Sequence, residues 1–166
     1  MNVSSATINP IMGANGTVDI GQSGVTNPTV QHSVGAGSIT RTPTTTVPVS
    51  VSWEGLIALS GGAYTLDLTA LPGGNLPDLD LTGKKVQAIH VRGANDLTGP
   101  ITLSVGASNG YDLHGSGVGE EIATVEADDE VLILKNDTAP DVGASACQID
   151  LAGTSTEEVS IMILAG

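Results

Sequence analysis

Two groups of carboxylates in this sequence offer oxygen ligands of the kind calcium takes: Asp78 with Asp80, and the run Asp128-Asp129-Glu130. Neither has the spacing of a calcium-binding loop, and acids between strands are ordinarily solvated, so neither is read as a metal site. Zinc would need converging nitrogen and sulfur ligands, but His32, His90 and His114 lie far apart and Cys147 stands alone. His114-Gly115-Ser116-Gly117 sets a serine near a histidine without the Gly-x-Ser-x-Gly elbow that strains a nucleophile on a strand-to-helix turn. Cys147 has no basic neighbour to lower its pKa and sits in an alternating apolar stretch, the setting of a buried, inert thiol. Gly115-x-Gly117-x-Gly119 is an incomplete dinucleotide fingerprint with no helix after it. Glycoside hydrolysis needs only a pair of the eighteen acids, but sugar sites stack rings on aromatics, and the chain has one Trp, two Tyr and no Phe. No catalytic constellation and no cofactor site emerges, so the expected protein is not an enzyme.

Charge narrows the partners. The net charge is −13 with only five Lys plus Arg, which excludes the clustered cations that nucleic acid and anionic membrane surfaces require. Its distribution is uneven. Residues 1–50 hold Asp19 and Arg41, residues 51–111 five acids and three bases, and residues 112–166 twelve acids and Lys135. The repulsive field therefore comes from the C-terminal third, and the N-terminal third is neutral. The start, Met1-Asn2-Val3-Ser4-Ser5, has neither the basic opening nor the apolar run of a secretory signal, and no stretch suits a bilayer span. The expected compartment is a cytoplasm, until lysis.

The elements that must position these residues are strands. The 166 residues fit one domain, or one domain with an arm. Sixteen Val, twelve Ile and fifteen Leu supply an aliphatic core, while 22 Gly, eighteen Thr and eight Pro favour short strands and tight turns. Residues 1–45 read as an extended N-terminal arm punctuated at Asn9-Pro10, Asn15-Gly16, Asn27-Pro28 and Thr42-Pro43, with Val18-Asp19-Ile20 a possible short strand. Such an arm is either a loose end or a segment able to pair with an exposed sheet edge. From residue 46 to 166 the period is two: Val47, Val49, Val51 and Trp53; Tyr64, Leu66 and Leu68; Ile101, Leu103 and Val105. In Val86–Val91 the apolar parity switches between Ala88 and Ile89, which suggests a bulge. Val131–Leu134 and Ile161–Leu164 are apolar on both faces and are candidates for central strands or a subunit seam. Ile122–Glu126 and Cys147–Leu151 complete eight or nine segments, the number of an all-β antiparallel sandwich.

A short pattern recurs: Asp80-Leu81-Thr82-Gly83, Asp96-Leu97-Thr98-Gly99, Asp112-Leu113-His114-Gly115 and Asp150-Leu151-Ala152-Gly153. Its irregular spacing excludes a solenoid. Each copy reads as a strand running into a turn, where the Leu packs, the Asp bonds backbone and the Gly takes a positive φ.

The ordered series Tyr64-Thr65-Leu66-Asp67-Leu68-Thr69, Asp80 to Ala88, Ile101 to Tyr111, Asp137-Thr138-Ala139-Pro140-Asp141 and Ile149 to Thr154, followed by the last apolar strand, resembles a group of small tailed-phage virion proteins, the head decoration or cement proteins. The resemblance covers about residues 46–166 and lies in the overall pattern. It implies a jelly-roll-like β-sandwich working as an oligomer, a trimer, on the outer surface of a mature capsid, with the major capsid protein as partner. Residues for capsid or subunit contact follow by class: Arg41 as the arm's base, then Lys84, Lys85 and Arg92 as the cations able to meet an acidic capsid patch, and Trp53 as the one large ring. Either lysine alone is equally at home as a solvated side chain, and Trp53 as core packing. The competing reading is a receptor- or glycan-binding module of a virus fibre or cell surface, which a jelly roll would serve equally. A small hydrolase using Ser116 is the third.

Overall fold

The computed structural model describes residues 6–8, 11–17, 29–35, 39–42, 44–73, 77–135 and 138–166, with side chains from Arg41 onward. The chain divides into two units, Ala6–Thr40 and Arg41–Gly166. In the first, β1 (Ala6–Ile8) pairs with β4 (Ile39–Arg41), and β2 (Ile11–Thr17) pairs antiparallel with β3 (Thr29–Gly35) over seven residue pairs. Asn15-Gly16, expected to be a turn, lies inside β2 opposite Gln31 and Val30. Val18-Asp19-Ile20 falls outside the described residues.

The second unit is a β-sandwich. Its strands are β5 (Val51–Ala58), β6 (Ala63–Asp67), β7 (Val86–Gly93), β8 (Ile101–Val105), β9 (Glu121–Val125), β10 (Glu130–Leu134), β11 (Gln148–Ala152) and β12 (Glu158–Ala165). One four-stranded sheet has the order β10-β7-β12-β5, the other β6-β11-β8-β9, and every pairing is antiparallel. The chain crosses between sheets at almost every step, and only β8 and β9 are both consecutive and paired. This is the strand order of a jelly roll, two Greek keys wound on each other. The all-β sandwich expected from period two is what the chain forms.

Alternation explains the packing. Val51, Trp53 and Ile57 of β5, Val159, Ile161 and Ile163 of β12, and Ile89 and Val91 of β7 point inward from one sheet. Leu66, Leu103, Val105, Ile149 and Leu151 meet them from the other, and cross-strand pairs such as Leu103 with Leu151 keep the register. A one-residue slip would turn this whole set to water, so burial fixes the pairing. β5 begins four residues later than the alternation from Val47 suggests, because Pro48 has no N–H to give a ladder and the Val49 N–H bonds the Thr42 carbonyl.

The bulge lies one residue earlier than the parity switch. Leu164 faces Ala88 and Ala165 faces Val86, so Gln87 is the extra residue. Its carbonyl accepts from Arg41 Nη1 at 2.9 Å and from the Lys135 N–H at 2.9 Å, while its fully buried side-chain amide has no hydrogen-bond partner among the described residues. The two doubly apolar segments separate. β12 lies inside its sheet between β7 and β5, whereas β10 is an edge strand that packs Val131 and Ile133 on the core and turns Leu132 outward.

Candidate interaction surface

The residues best suited to chemistry are occupied by turn geometry. Asp112 Oδ1 accepts the N–H groups of His114 at 3.2 Å, Gly115 at 2.6 Å and Ser116 at 3.0 Å, and Oδ2 that of Gly117 at 2.8 Å. Gly115 and Gly117 take positive φ of 73° and 112° so that successive N–H groups converge on one carboxylate. His114 and Ser116 project into solvent from this cradle. Partial burial alone would raise the Asp112 pKa, but the N–H groups of Ser116, Gly117, Gly115 and His114 outweigh it and hold the carboxyl below its ordinary value. Asp80 and Gly83 follow the same logic: Asp80 accepts the Thr82 N–H at 2.7 Å and Gly83 has φ 76°. The other two copies of the pattern do different work. Thr98 gives its N–H to Glu157, and Asp150 stays in β11, where it accepts from Thr65 and from the Ala107 N–H.

These contacts set a pH dependence. A carboxylate whose folded pKa is depressed stabilises the fold above its unfolded value, near 4, and that contribution is lost as pH falls through the folded value. Asp112→Asn should cost about 1 kcal/mol at pH 7 by exchanging a charged acceptor at Gly117 for an amide. The stability difference between the two chains should shrink steadily below about pH 4. Urea titrations at several pH values check this, and a difference that stays constant to pH 2 would remove the cradle from the stability account.

The calcium candidates are likewise spent on their own loops. Asp78 Oδ1 accepts the Gly73 N–H at 3.1 Å, and Asp129 Oδ2 the Glu126 N–H at 3.2 Å. Among the described residues no three His, Cys, Asp or Glu gather as a metal site. Cys147 is buried, and its thiol pKa is pushed up first by burial and then by the charge and hydrogen bond of Asp67, which makes it a poor nucleophile.

Of the basic residues, Arg41, Lys84, Lys85 and Lys135 collect at one end of the first sheet, where β5 and β7 begin and β10 and β12 end. Arg41 is buried against Gln87, which lowers its pKa. Lys84 Nζ reaches Ser50 Oγ at 3.1 Å, and Lys85 exchanges backbone bonds with Gly166. Arg92 sits elsewhere, on the outer face of β7 beside Glu130 at 3.5 Å, which also faces His90 at 3.4 Å. The Arg92–Glu130 pair is half exposed and contributes about 0–1 kcal/mol. The opposite end carries Asp96, Glu126, Asp128, Asp129 and Glu157 from loops distant in sequence, with Glu158 at the start of β12. Glu157 ties that end together by accepting from Thr98 Oγ1, Thr98 N–H, Gly99 N–H and Thr154 N–H, and the Thr98 hydroxyl first among these depresses its pKa.

On the outer face of the first sheet, Leu132 and Met162 belong to the two segments that the sequence marks as apolar on both faces, whereas Leu56 is the residue that sequence reasoning missed. The registers line up Leu132, His90, Met162 and Glu54 in one row and Glu130, Arg92, Ser160 and Leu56 in the next. Leu56 is 65% exposed, Leu132 41% and Met162 38%, so three large aliphatic side chains face water on one sheet. The available signal was the pair Leu56-Ile57, which sets a leucine on the polar parity of β5. Beside β5 runs a groove of about 760 Å³, lined by Ser52–Ala58, Tyr64, Pro72, Pro77, Leu79 and Met162. Trp53 forms part of its floor at 7% exposure, with Nε1 donating to the Pro72 carbonyl at 3.0 Å. Compared with known proteins, the chain matches no family model, no curated protein and no solved structure.

Proposed function

We propose that this chain is a structural virion protein that decorates the outside of a mature phage capsid and stabilises it by binding, as an oligomer, between capsid subunits. The observation that carries the reading is the jelly-roll strand order joined to a sheet face bearing Leu56, Leu132 and Met162 toward water. The fold agrees with what the sequence resemblance implies, and exposed aliphatic side chains in register on one sheet mark a surface made to be covered. The strong negative charge keeps such a surface soluble before it finds its partner.

The mechanism is linkage. A subunit that binds the expanded shell and no disrupted form stabilises that shell by RT ln(1 + [L]/Kd), about 2.7 kcal/mol per site at a hundredfold excess over Kd. Repetition around a symmetry axis adds avidity to weak contacts. The test adds purified protein to undecorated, expanded capsids. Melting temperature and survival of osmotic shock should both rise, and mass spectrometry should count the chain in hundreds of copies per particle. Absence of binding at micromolar protein would overturn the reading.

A second reading, a glycan- or receptor-binding module, draws on the groove, because Trp53 and Tyr64 are two of the three aromatic residues in the chain. Trp53 is nearly covered and its N–H is already bonded, which leaves little ring for a sugar to stack on.

A further inference from the structure

Among the described strands, β5 ends its sheet, where it pairs with β12 alone, and β2–β3 form a sheet of two strands. The Leu59 N–H bonds the Glu157 carbonyl, and the register continues unbroken from Ala58 with Glu158 to Val51 with Ala165. Odd-numbered residues therefore bond β12, and the N–H and C=O groups of Glu54, Leu56 and Ala58 point to the open side. Sheet edges are normally blunted by proline, lysine or brevity, yet this one is eight residues long, lacks proline and carries Glu54 as its one charge. The groove is lined by every residue from Ser52 to Ala58, so it runs beside this strand.

Two strands paired over seven residues are marginal in water without a third strand or a packed face. Charge selects the donor. Residues 1–41 hold one acid and one base, whereas residues 42–166 hold seventeen acids and four bases, the whole net charge of −13. Two sandwiches meeting edge to edge would bring these fields together and set one Glu54 beside the other. A neutral segment approaches the same edge without that penalty.

We infer that the β5 edge is an acceptor for a strand, Ile11–Thr17 or Thr29–Gly35, donated by a second copy of this chain, which joins neighbouring subunits by sheet extension. The inference rests on the oligomeric part of the function proposed above and names its contact.

The test uses the full chain with a photo-crosslinker, p-benzoylphenylalanine, in place of Leu56, mixing unlabelled and 15N-labelled copies before irradiation. Mass spectrometry should find position 56 joined to peptides from residues 11–35, with mixed-label pairs in the proportion of the mixture. Links only within one copy, links only to residues 42–166, or no link in an oligomer that persists would each overturn the inference. Leu56→Pro removes an N–H that faces away from β12, so sedimentation should show at least tenfold weaker self-association with the β spectrum unchanged. Leu56→Lys serves where proline lowers the melting temperature, and association unchanged in both would overturn the inference. Binding on a glycan array that Leu56→Lys abolishes would make the groove a sugar site and overturn it as well. The two readings fail separately. Capsid stabilisation without the cross-link sinks the strand donation alone, and the cross-link without capsid binding sustains it while sinking the decoration.

Discussion

Tyr111→Phe will destabilise the sandwich by about 2 kcal/mol, and Tyr111→Ala by about 4–5 kcal/mol. Tyr111 is fully buried, and its hydroxyl stands between two backbone groups, accepting from the Val86 N–H at 3.0 Å and donating to the Pro140 carbonyl at 2.8 Å. It thereby ties the start of β7 to the loop before β11. Phe keeps the volume and strips both bonds, leaving Val86 without an acceptor in a dry place. Ala adds a cavity in a core whose other members are nearly all aliphatic. Against a total stability of about 5–15 kcal/mol, the second change brings the chain close to unfolding at 37 °C. Burial first, and the Asp141 charge with it, raises the Tyr111 pKa to about 12 against the opposing hydrogen bond from Val86. The neutral hydroxyl is thus favoured by the fold. Its contribution is complete below the unfolded value near 10 and is lost as pH rises toward 12. Urea unfolding at pH 7 and across that alkaline window checks both claims. A Phe variant within 0.5 kcal/mol of the parent would mean the hydroxyl bonds are replaceable by water.

Gly55→Ala should cost about 2–3 kcal/mol, a large effect for adding one methyl group. A Cβ on Gly55 would enter the Trp53 ring, whose Cη2 lies 2.6 Å from its ideal place, with Cζ2 nearer still. The ring cannot yield freely, because Nε1, two bonds from Cζ2, is held by its bond to the Pro72 carbonyl. Relief requires the indole to swing toward the groove and lose that partner. Trp53 is the chain's sole tryptophan, so the change reports itself as a red shift in emission together with a lower urea midpoint. Unaltered emission and midpoint would show that the ring has room which its position denies.

How far the sequence discloses this depends on how local each cause is. β8 and β11 are legible because each presents one face to the core, and burial writes itself as alternation in Ile101, Leu103 and Val105 or Cys147, Ile149 and Leu151. β10 is less legible: four consecutive apolar residues suggest burial on both faces, but the strand is an edge and Leu132 turns outward. The hairpin β2–β3 escapes notice because Asn15-Gly16, a turn signal in isolation, is absorbed into a strand. The turn reading of Asp80 and Asp112 holds because an Asp, two residues and a Gly are a local device. The same letters at Asp96 and Asp150 serve differently, since Glu157 and Thr65 reach them from far along the chain. The charged ends, the exposed row across the first sheet and the groove beside β5 depend on topology, which joins loops and strands that no short window contains.

The pairing of β5 with β12 spans more than a hundred residues of chain. During translation at about 5–20 residues per second, β5 leaves the ribosome and waits on the order of ten seconds before its partner is synthesised. For that interval Val51, Trp53 and Ile57 have no sheet to enter, and a chaperone that holds extended apolar segments would find them there. A pause in synthesis between β5 and β12 would lengthen this exposure, so the yield of native protein should follow elongation speed more closely than the equilibrium stability of the finished fold.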